Sequence, residues 1–330
     1  MPSTSSRRSG PLVVALAAGL LCLAEFALAQ AKWPQRPVRI IVVYPTGGVS
    51  DETARAIAER LAPRLEVPVL VENRAGGGGS VGMGALAKAQ PDGHTLAFSA
   101  ISPLTLNPYL AAVGYDPRRD VAPVIGVMHT PVVVVGTPAF AGATFQDLLR
   151  AARQAPGRVR WGSSGIATVG HMVLEHVRLA AQVDISHIPY KGGGQQLTDA
   201  LAGHFEILST NVAIAQLQHI QSGKFKALAV GAPERLRVLP QVPTLAELGF
   251  AQANLTSLFG LFAPGDTPEA IIARLNAELN AVLRQGDVRE RLVAANNLPF
   301  GGSAAEFARA INLDAERNLA VIRAAGIRAE

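Results

Sequence analysis

From Val38 onward, short apolar runs alternate with longer stretches whose apolar residues recur every three or four positions. VRIIVVY (38–44), PVLVEN (68–73) and HTLAFSA (94–100) are short, near-continuous apolar runs bounded by Gly, Pro and polar residues. Runs of that length and composition read as buried strands. ETARAIAERLAPRL (52–65) carries helical spacing, and RAGGGGSVGMGALAKA (74–89) reads as a glycine-rich loop entering a helix. Strand–helix alternation of this kind predicts a parallel sheet with helices on both faces.

The pattern restarts at PVVVVG (131–136), a strand followed by the helix TFQDLLRAARQAPG, the strand VRWGSS and the helix VGHMVLEHVRLAAQ. DISHIPY, QQLTDALAG, FEILST and KFKALAVG then continue as strand, helix, strand and strand. The tail, 267–294 and 303–326, reads as two amphipathic helices, with Pro268 expected at the first helical position. Helices alone cannot make a sheet domain, so the tail is expected to pack back on the first sheet. The expectation is an α/β protein of two lobes, each a mostly parallel sheet flanked by helices: residues 30–130 with 255–330, and residues 131–254. The chain crosses between them twice, and a cleft lies at the crossing. Ligands of open parallel sheets sit beyond the carboxyl ends of the strands, which makes each strand-to-loop junction a candidate wall. No repeat is strong enough to align, so two similar folds are expected without duplication.

The first 29 residues read as a leader. Arg7 and Arg8 precede an apolar stretch interrupted by Glu25, and Ala27-Leu28-Ala29 is a small-x-small cleavage pattern. A twin-arginine signal lacks its usual apolar residues after the pair, because Ser-Gly-Pro follows. A lipidated Cys22 would follow Gly or Ala, where this chain has Leu21. Cleavage near Ala29 removes two of the 30 basic and one of the 25 acidic residues, leaving a formal charge of +4 in place of +5. It also removes the chain's one cysteine, excluding disulfides and thiol nucleophiles. An exported, mildly basic, cysteine-free chain fits the bacterial periplasm. The arginines are scattered rather than clustered and aromatics make up only 5%, so no nucleic-acid partner is expected.

Three segments could carry chemistry. In Tyr44-Pro45-Thr46-Gly47-Gly48-Val49-Ser50-Asp51, both glycines are expected to bend the backbone with φ > 0, and Ser50 to cap a helix starting at Asp51. The carboxylates of Asp51 and Glu52 oppose an anion on the helix axis, so an anion is expected on N–H groups around residues 46–48. The turn could equally be a plain connector. Trp161 to His171 places Ser163, Ser164 and Thr168 before a helix. A serine-hydrolase elbow needs glycine two residues either side of its nucleophile, but Ser164 is followed by Ile166 and Ser163 preceded by Trp161. Hydroxyl donors without an evident base suit a carboxylate instead. The third segment, Tyr190-Lys191-Gly192-Gly193-Gly194, has its lysine before the glycines, the wrong order for a phosphate loop, and Gly76–Gly84 misses the dinucleotide pattern. The seven histidines are dispersed, and the closest pair, His171 and His176, is five residues apart, against the four of helical metal sites. Neither metal nor cofactor is expected.

The three segments in this order resemble one family, the extracytoplasmic solute receptors of tripartite tricarboxylate transporters, of Bug or TctC type. The resemblance covers essentially the whole chain after the leader. It rests on WPQRPVRIIV, YPTGGVSD, VENRAGGGGSVG, AKAQPDGHTL, NPYL, PGRVRWGSSG, IPYKGGGQQLTDALAGHFEI and KALAVGAPERLRVLPQVPTLAELGF. It implies a periplasmic-binding-protein (Venus flytrap) fold without catalysis. The ligand is then a small carboxylate, and the partner a membrane permease of one large and one small subunit that takes the ligand from a monomeric receptor. By position, the carboxylate would sit on the turn of Tyr44, Thr46, Gly47 and Gly48, with Ser50 at its end and ordered water helping. Ser99 and Ser102 would lie beside it. The other lobe would contribute Ser163, Ser164, Gly165, Thr168 and His171, with Tyr190, Gly192, Gly193 and Asn211 lining the wall.

The chain departs from the family in two places. Ala100 and Ile101 stand where members often carry hydroxyls, and Thr210 stands where many carry an aspartate. Losing that fixed charge disfavours amino acids, so the ligand is expected to be a carboxylate without an amino group, aromatic or short-chain. Two other readings compete: a sensor feeding a membrane signalling partner, and a secreted hydrolase using Ser164 and His171.

Overall fold

The computed structural model describes residues 33–325, so the leader 1–29 and its cleavage point lie outside the described residues. The first apolar run forms β1 (Val38–Val42), in which Val38, Ile40, Ile41 and Val42 are wholly buried. There follow α1 (Val49–Leu65), β2 (Val69–Asn73), α2 (Ser80–Ala87), β3 (Thr95–Ala100) and the short helices α3 (Ser102–Thr105) and α4 (Asn107–Leu110). Strand β1 pairs in parallel with β2 on one side and β3 on the other. Strand β4 (Val121–Gly136) leads to α5 (Phe145–Gln154), β5 (Arg160–Ser163), α6 (Val169–Ala181), β6 (Ser186–Pro189) and α7 (Gly193–Leu201). The chain then forms β7 (Ile207–Asn211), α8 (Ile214–Gln221), β8 (Lys226–Gly231) and β9 (Thr256–Pro264). It closes with α9 (Glu269–Leu283), α10 (Gly286–Ala294), β10 (Leu298–Gly301) and α11 (Ala304–Ala325).

One of these strands, β4, joins the lobes. The first part of β4, Val121–Pro131, pairs antiparallel with β9, which in turn pairs antiparallel with β3. Its last five residues, Val132–Gly136, change partners to β7 and β8. The second lobe is completed by β5, parallel to both β6 and β7. Register shifts at Pro123/Ile125 and Gly126/Met128 bend β4 on its way across.

The valine run shows why the second lobe holds together. Successive strand side chains point to opposite faces, so Val132 and Val134 enter one core with Phe145, Leu148, Trp161 and Val173. Val133 and Val135 enter another with Phe205, Leu208 and Phe225. All four valines are fully buried, each worth roughly 1.5–3 kcal/mol of transfer free energy. The first lobe's core joins Ile41, Val43, Met83, Phe262 and Phe307, and Phe307 brings α11 back onto this lobe as expected for the tail.

The tail differs in detail from the two helices expected. Gly286 starts a separate helix, and the chain inserts β10 against β4 before α11. Pro268 precedes the helix as its cap with ψ 137°, one position earlier than expected. Strand β9 and the first part of β4 escaped the hydrophobic pattern, because Pro123, Gly126, Pro131 and Gly260 interrupt their runs.

Candidate ligand-binding cleft

A cavity of about 90 Å³ lies between the lobes, where the loops after β1, β3, β5, β6 and β7 converge. From the first lobe it is lined by Tyr44, Pro45, Gly47, Gly48, Val49, Ser50, Ala100 and Ser102, with Ser257 and Phe259 of β9. From the second come Ser164, Thr168, Val169, Gly170, Gly193, Gly194, Leu197, Thr210, Asn211, Ala213 and Gln216. Among these lining residues none carries a charged side chain.

The first-lobe wall is a helix end. Helix α1 begins at Val49 and its cap is Gly48, with φ −97° and ψ 170° and no side-chain cap. Ser50 therefore lies inside the first turn, buried, and not at the cap position expected for it. Gly47 has φ +78°, a conformation that favours glycine, whereas Gly48 is extended, as any residue can be. The first N–H groups of a helix lack intrahelical partners, and Gly48, Val49 and Ser50, at the start of this helix, line the cavity.

Asp51 does not oppose that use. Its Oδ2 accepts the Gly47 N–H at 3.1 Å, and its Oδ1 accepts from Arg55 Nε at 3.0 Å and Asn73 Nδ2 at 3.0 Å. Burial pushes its pKa up, but the Arg55, Gly47 and Asn73 bonds outweigh that and hold it below the usual aspartate value. The carboxylate is thus a clamp behind the turn, and it takes the Gly47 N–H out of ligand binding. Tyr44 packs edge-on to Phe259, ring centroids 6.3 Å apart. Burial raises its pKa against bonds with Ser102, Ser99 and the Ala100 backbone, so it remains a neutral phenol at ordinary pH.

The second-lobe wall is held by a hydrogen-bonded and stacked network beneath it. Thr168 caps α6, accepting the His171 N–H at 3.4 Å and donating to the Gly165 carbonyl at 2.7 Å. His171 Nδ1 accepts the Ala167 N–H at 3.2 Å, and its Nε2 lies 3.5 Å from Glu175. Its ring stacks on His187, centroids 4.2 Å apart. His187 Nε2 lies 2.7 Å from Ser163 Oγ. Burial, then the neighbouring His171, pushes the His187 pKa down to about 3. At neutral pH this imidazole is uncharged.

Of the residues singled out from sequence, Tyr44, Gly47, Gly48, Ser50, Ser102, Ser164, Thr168, Gly193 and Asn211 meet at the cavity. The others are placed around it. Thr46 is exposed at the rim. Ser99 is fully buried and donates to the Ala100 carbonyl at 2.7 Å; strand alternation turns it away while Ala100 lines the cavity. Ser163 and His171 lie in the network under the loop, and the Gly165 carbonyl accepts from both Ser163 and Thr168. The Tyr190 hydroxyl donates to Asp199 at 2.8 Å, and burial first, then that carboxylate, pushes its pKa up to about 12. Gly192 packs on the Pro45 ring. Ser164 and His171 are not joined, and the serine that does meet a histidine, Ser163, is fully buried. A hydrolase pair is therefore not assembled among the described residues.

Sequence reasoning missed Gln216, Ser257 and Phe259. The Gln216 side chain lines the cavity with its amide oxygen buried and unpartnered among the described residues. Ser257 donates to Asn211 Oδ1 at 3.0 Å across the crossing strands. Both Ser257 and Phe259 sit on β9, a strand the hydrophobic pattern did not reveal.

Comparison with known proteins identifies the family and the fold. Residues 53–327 match the model of the tripartite tricarboxylate transporter family receptor, TctC. The chain is 35% identical over 269 residues to Protein BugT of Bordetella pertussis, covering 81% of this chain and 82% of that protein. A solved periplasmic transporter superposes with a TM-score of 0.85 at 33% identity, over 90% of this chain and 100% of that one. Rpa4515 of R. palustris, solved with adipate, gives a TM-score of 0.85 at 30% identity, again over 90% and 100%. The two-lobed architecture is the Venus flytrap of periplasmic binding proteins, a group that binds solutes and does not transform them. This chain belongs to the TctC family of tripartite tricarboxylate transporter receptors.

Proposed function

We propose that this chain is a periplasmic receptor that closes its two lobes on a small, amino-free carboxylate and delivers it to a two-component membrane permease. The observation that carries the reading is the lining: helix-end N–H groups from one lobe, hydroxyls and amides from the other, and no charged side chain among them. Helix N-termini favour anions through their free N–H groups and dipole. In a water-poor cleft those donors hold a carboxylate without a lysine or arginine. An ammonium group would need a counter-charge there, and the position available for one is Thr210. The solved neighbour holding adipate supports a carboxylate class.

The cavity of about 90 Å³ is smaller than the roughly 150 Å³ that accommodates benzene. That favours a short-chain acid over an aromatic one. Each lobe carries only part of the donor set, so the ligand binds the closed arrangement better than the open one, and only that difference shifts the population. The lobes divide at 130/131 and 254/255, within β4 and just ahead of β9. Export follows cleavage of the leader near Ala29, and the receptor works as a monomer. Mass spectrometry of whatever leaves the purified protein on denaturation tests the class. A small carboxylic acid, recovered unchanged after overnight incubation with the protein, is the expected result; a sugar, a peptide or an amine would contradict it.

A further inference from the structure

The run Gly76–Gly79 has no part in the cavity lining, yet all four glycines have positive φ, at 139°, 55°, 60° and 104°. L side chains rarely follow such a path. The loop is clamped to its own lobe: Asn107 Nδ2 donates to the Gly77 carbonyl at 2.9 Å and to Ser80 Oγ at 2.7 Å, from a side chain that is almost wholly buried. What it faces is the other lobe. A Cβ on Gly78 would lie 2.6 Å from the Ile166 carbonyl oxygen, and one on Gly165 would lie 3.5 Å from Gly78 Cα. The opposing loop is equally fixed, because Ser163 and Thr168 both hold the Gly165 carbonyl.

A second bare contact lies at Gly192. It has φ +134°, and a Cβ there would fall 2.7 Å from Pro45 Cγ and closer still to Cδ. Two backbone stretches from the second lobe therefore reach first-lobe loops at distances that leave no room for a side chain. Neither Gly78 nor Gly192 lines the cavity.

We propose that Gly78 against Ile166 and Gly192 against Pro45 are closure seams: two glycine contacts between the lobes that fix how far the cleft can shut. They set the closed population independently of the ligand's own bonds. This rests on the reading that closure captures the ligand, but its test needs no ligand. Adding a methyl at Gly192 wedges the lobes apart, and shortening Pro45 removes the wedge's partner. Backbone strain at Gly192 would not be relieved by that second change, so the pair separates the two causes.

The measurement is the inter-lobe distance distribution between spin labels at Lys88→Cys and Lys224→Cys, in full-length Cys22→Ser protein, with and without succinate. In the Gly192→Ala variant the closed-to-open ratio is expected to fall by about tenfold, equivalent to about 1.4 kcal/mol. In the Pro45→Ala/Gly192→Ala double variant it is expected to return to within about threefold of the starting protein. Gly78→Ala is expected to shift the distribution in the same direction as Gly192→Ala. An unchanged ratio in Gly192→Ala, no recovery in the double variant, or no closed population in any sample would overturn the proposal. If the closed population responds as stated while succinate changes nothing, the seams stand and the choice of ligand is what fails.

Discussion

The two lobes offer a ligand different kinds of group. The first presents main-chain N–H groups at the start of α1, fixed by a charged clamp in which Asp51 is tied to Arg55, Asn73 and Gly47. The second presents side chains, Ser164, Thr168, Thr210, Asn211 and Gln216, on loops braced by the stacked and hydrogen-bonded His171–His187–Ser163 network. Main-chain donors survive most substitutions, whereas side-chain donors change with each one. The first lobe is suited to gripping any carboxylate, the second to choosing among them.

Acid should separate the lobes most strongly. The His187 pKa lies far below its ordinary 6.5, so the unfolded chain takes up a proton that the folded one refuses. Its contribution is complete above pH 6.5 and is lost progressively as pH falls from 6.5 towards about 3. The full loss is on the order of 5 kcal/mol before solvent screening is discounted, and about 2 kcal/mol of it is reached by pH 5. His176 in the second lobe and His129 on β4 in the first, both also lowered by burial, act in the same direction, so the second lobe carries two such histidines and the first one. The Asp51 clamp has the depressed pKa of a bonded carboxylate, so its contribution is complete above 3.8 and is lost only as pH falls through its lower folded value. Hydrogen exchange at pH 5 should show protection lost around residues 160–190 while residues 40–75 keep theirs. Loosening of residues 40–75 at pH 5 would break the contrast.

A substitution sharpens the same contrast from the other side. Asp51→Ala frees the Gly47 N–H and leaves Arg55 and Asn73 only their bonds to each other and to the Tyr44 carbonyl, at a cost of about 2 kcal/mol. It should weaken every carboxylate ligand by a similar factor, because it disturbs the shared grip. A changed ligand ranking, read by competition calorimetry, would place selectivity in the first lobe instead.

The smallest effect concerns Tyr190. Its hydroxyl donates to Asp199 and faces away from the cavity, so Tyr190→Phe should cost about 1 kcal/mol of stability in urea unfolding. Ligand affinity should stay unchanged. A large loss of affinity without a loss of stability would return Tyr190 to the ligand's surroundings.

Sequence reasoning reached the strand-to-loop junctions because a buried strand, a glycine turn and a helix start leave a local signature. Tyr44, Gly47, Gly48, Ser50, Ser164, Thr168 and Gly193 were legible on that basis. The direction a side chain takes after the junction was not. Ser99 and Ala100 are neighbours, and only the register of β3 against β9 decides which one faces the cleft. His171 follows its cap by three residues, and its ring turns onto His187, which is remote in sequence. Ser257 and Phe259 were hidden because Gly260 and Pro264 break the apolar run of β9, a strand that exists through long-range pairing with β3 and β4.

The most direct measurement compares acids that differ only by an amino group. Protein stripped of bound ligand would be titrated calorimetrically with propionate and alanine, succinate and aspartate, glutarate and glutamate. A cleft without a counter-charge predicts that at least one of the plain acids binds and that its amino counterpart binds at least about tenfold more weakly. An amino acid that binds as tightly as its plain partner, or more tightly, would contradict it.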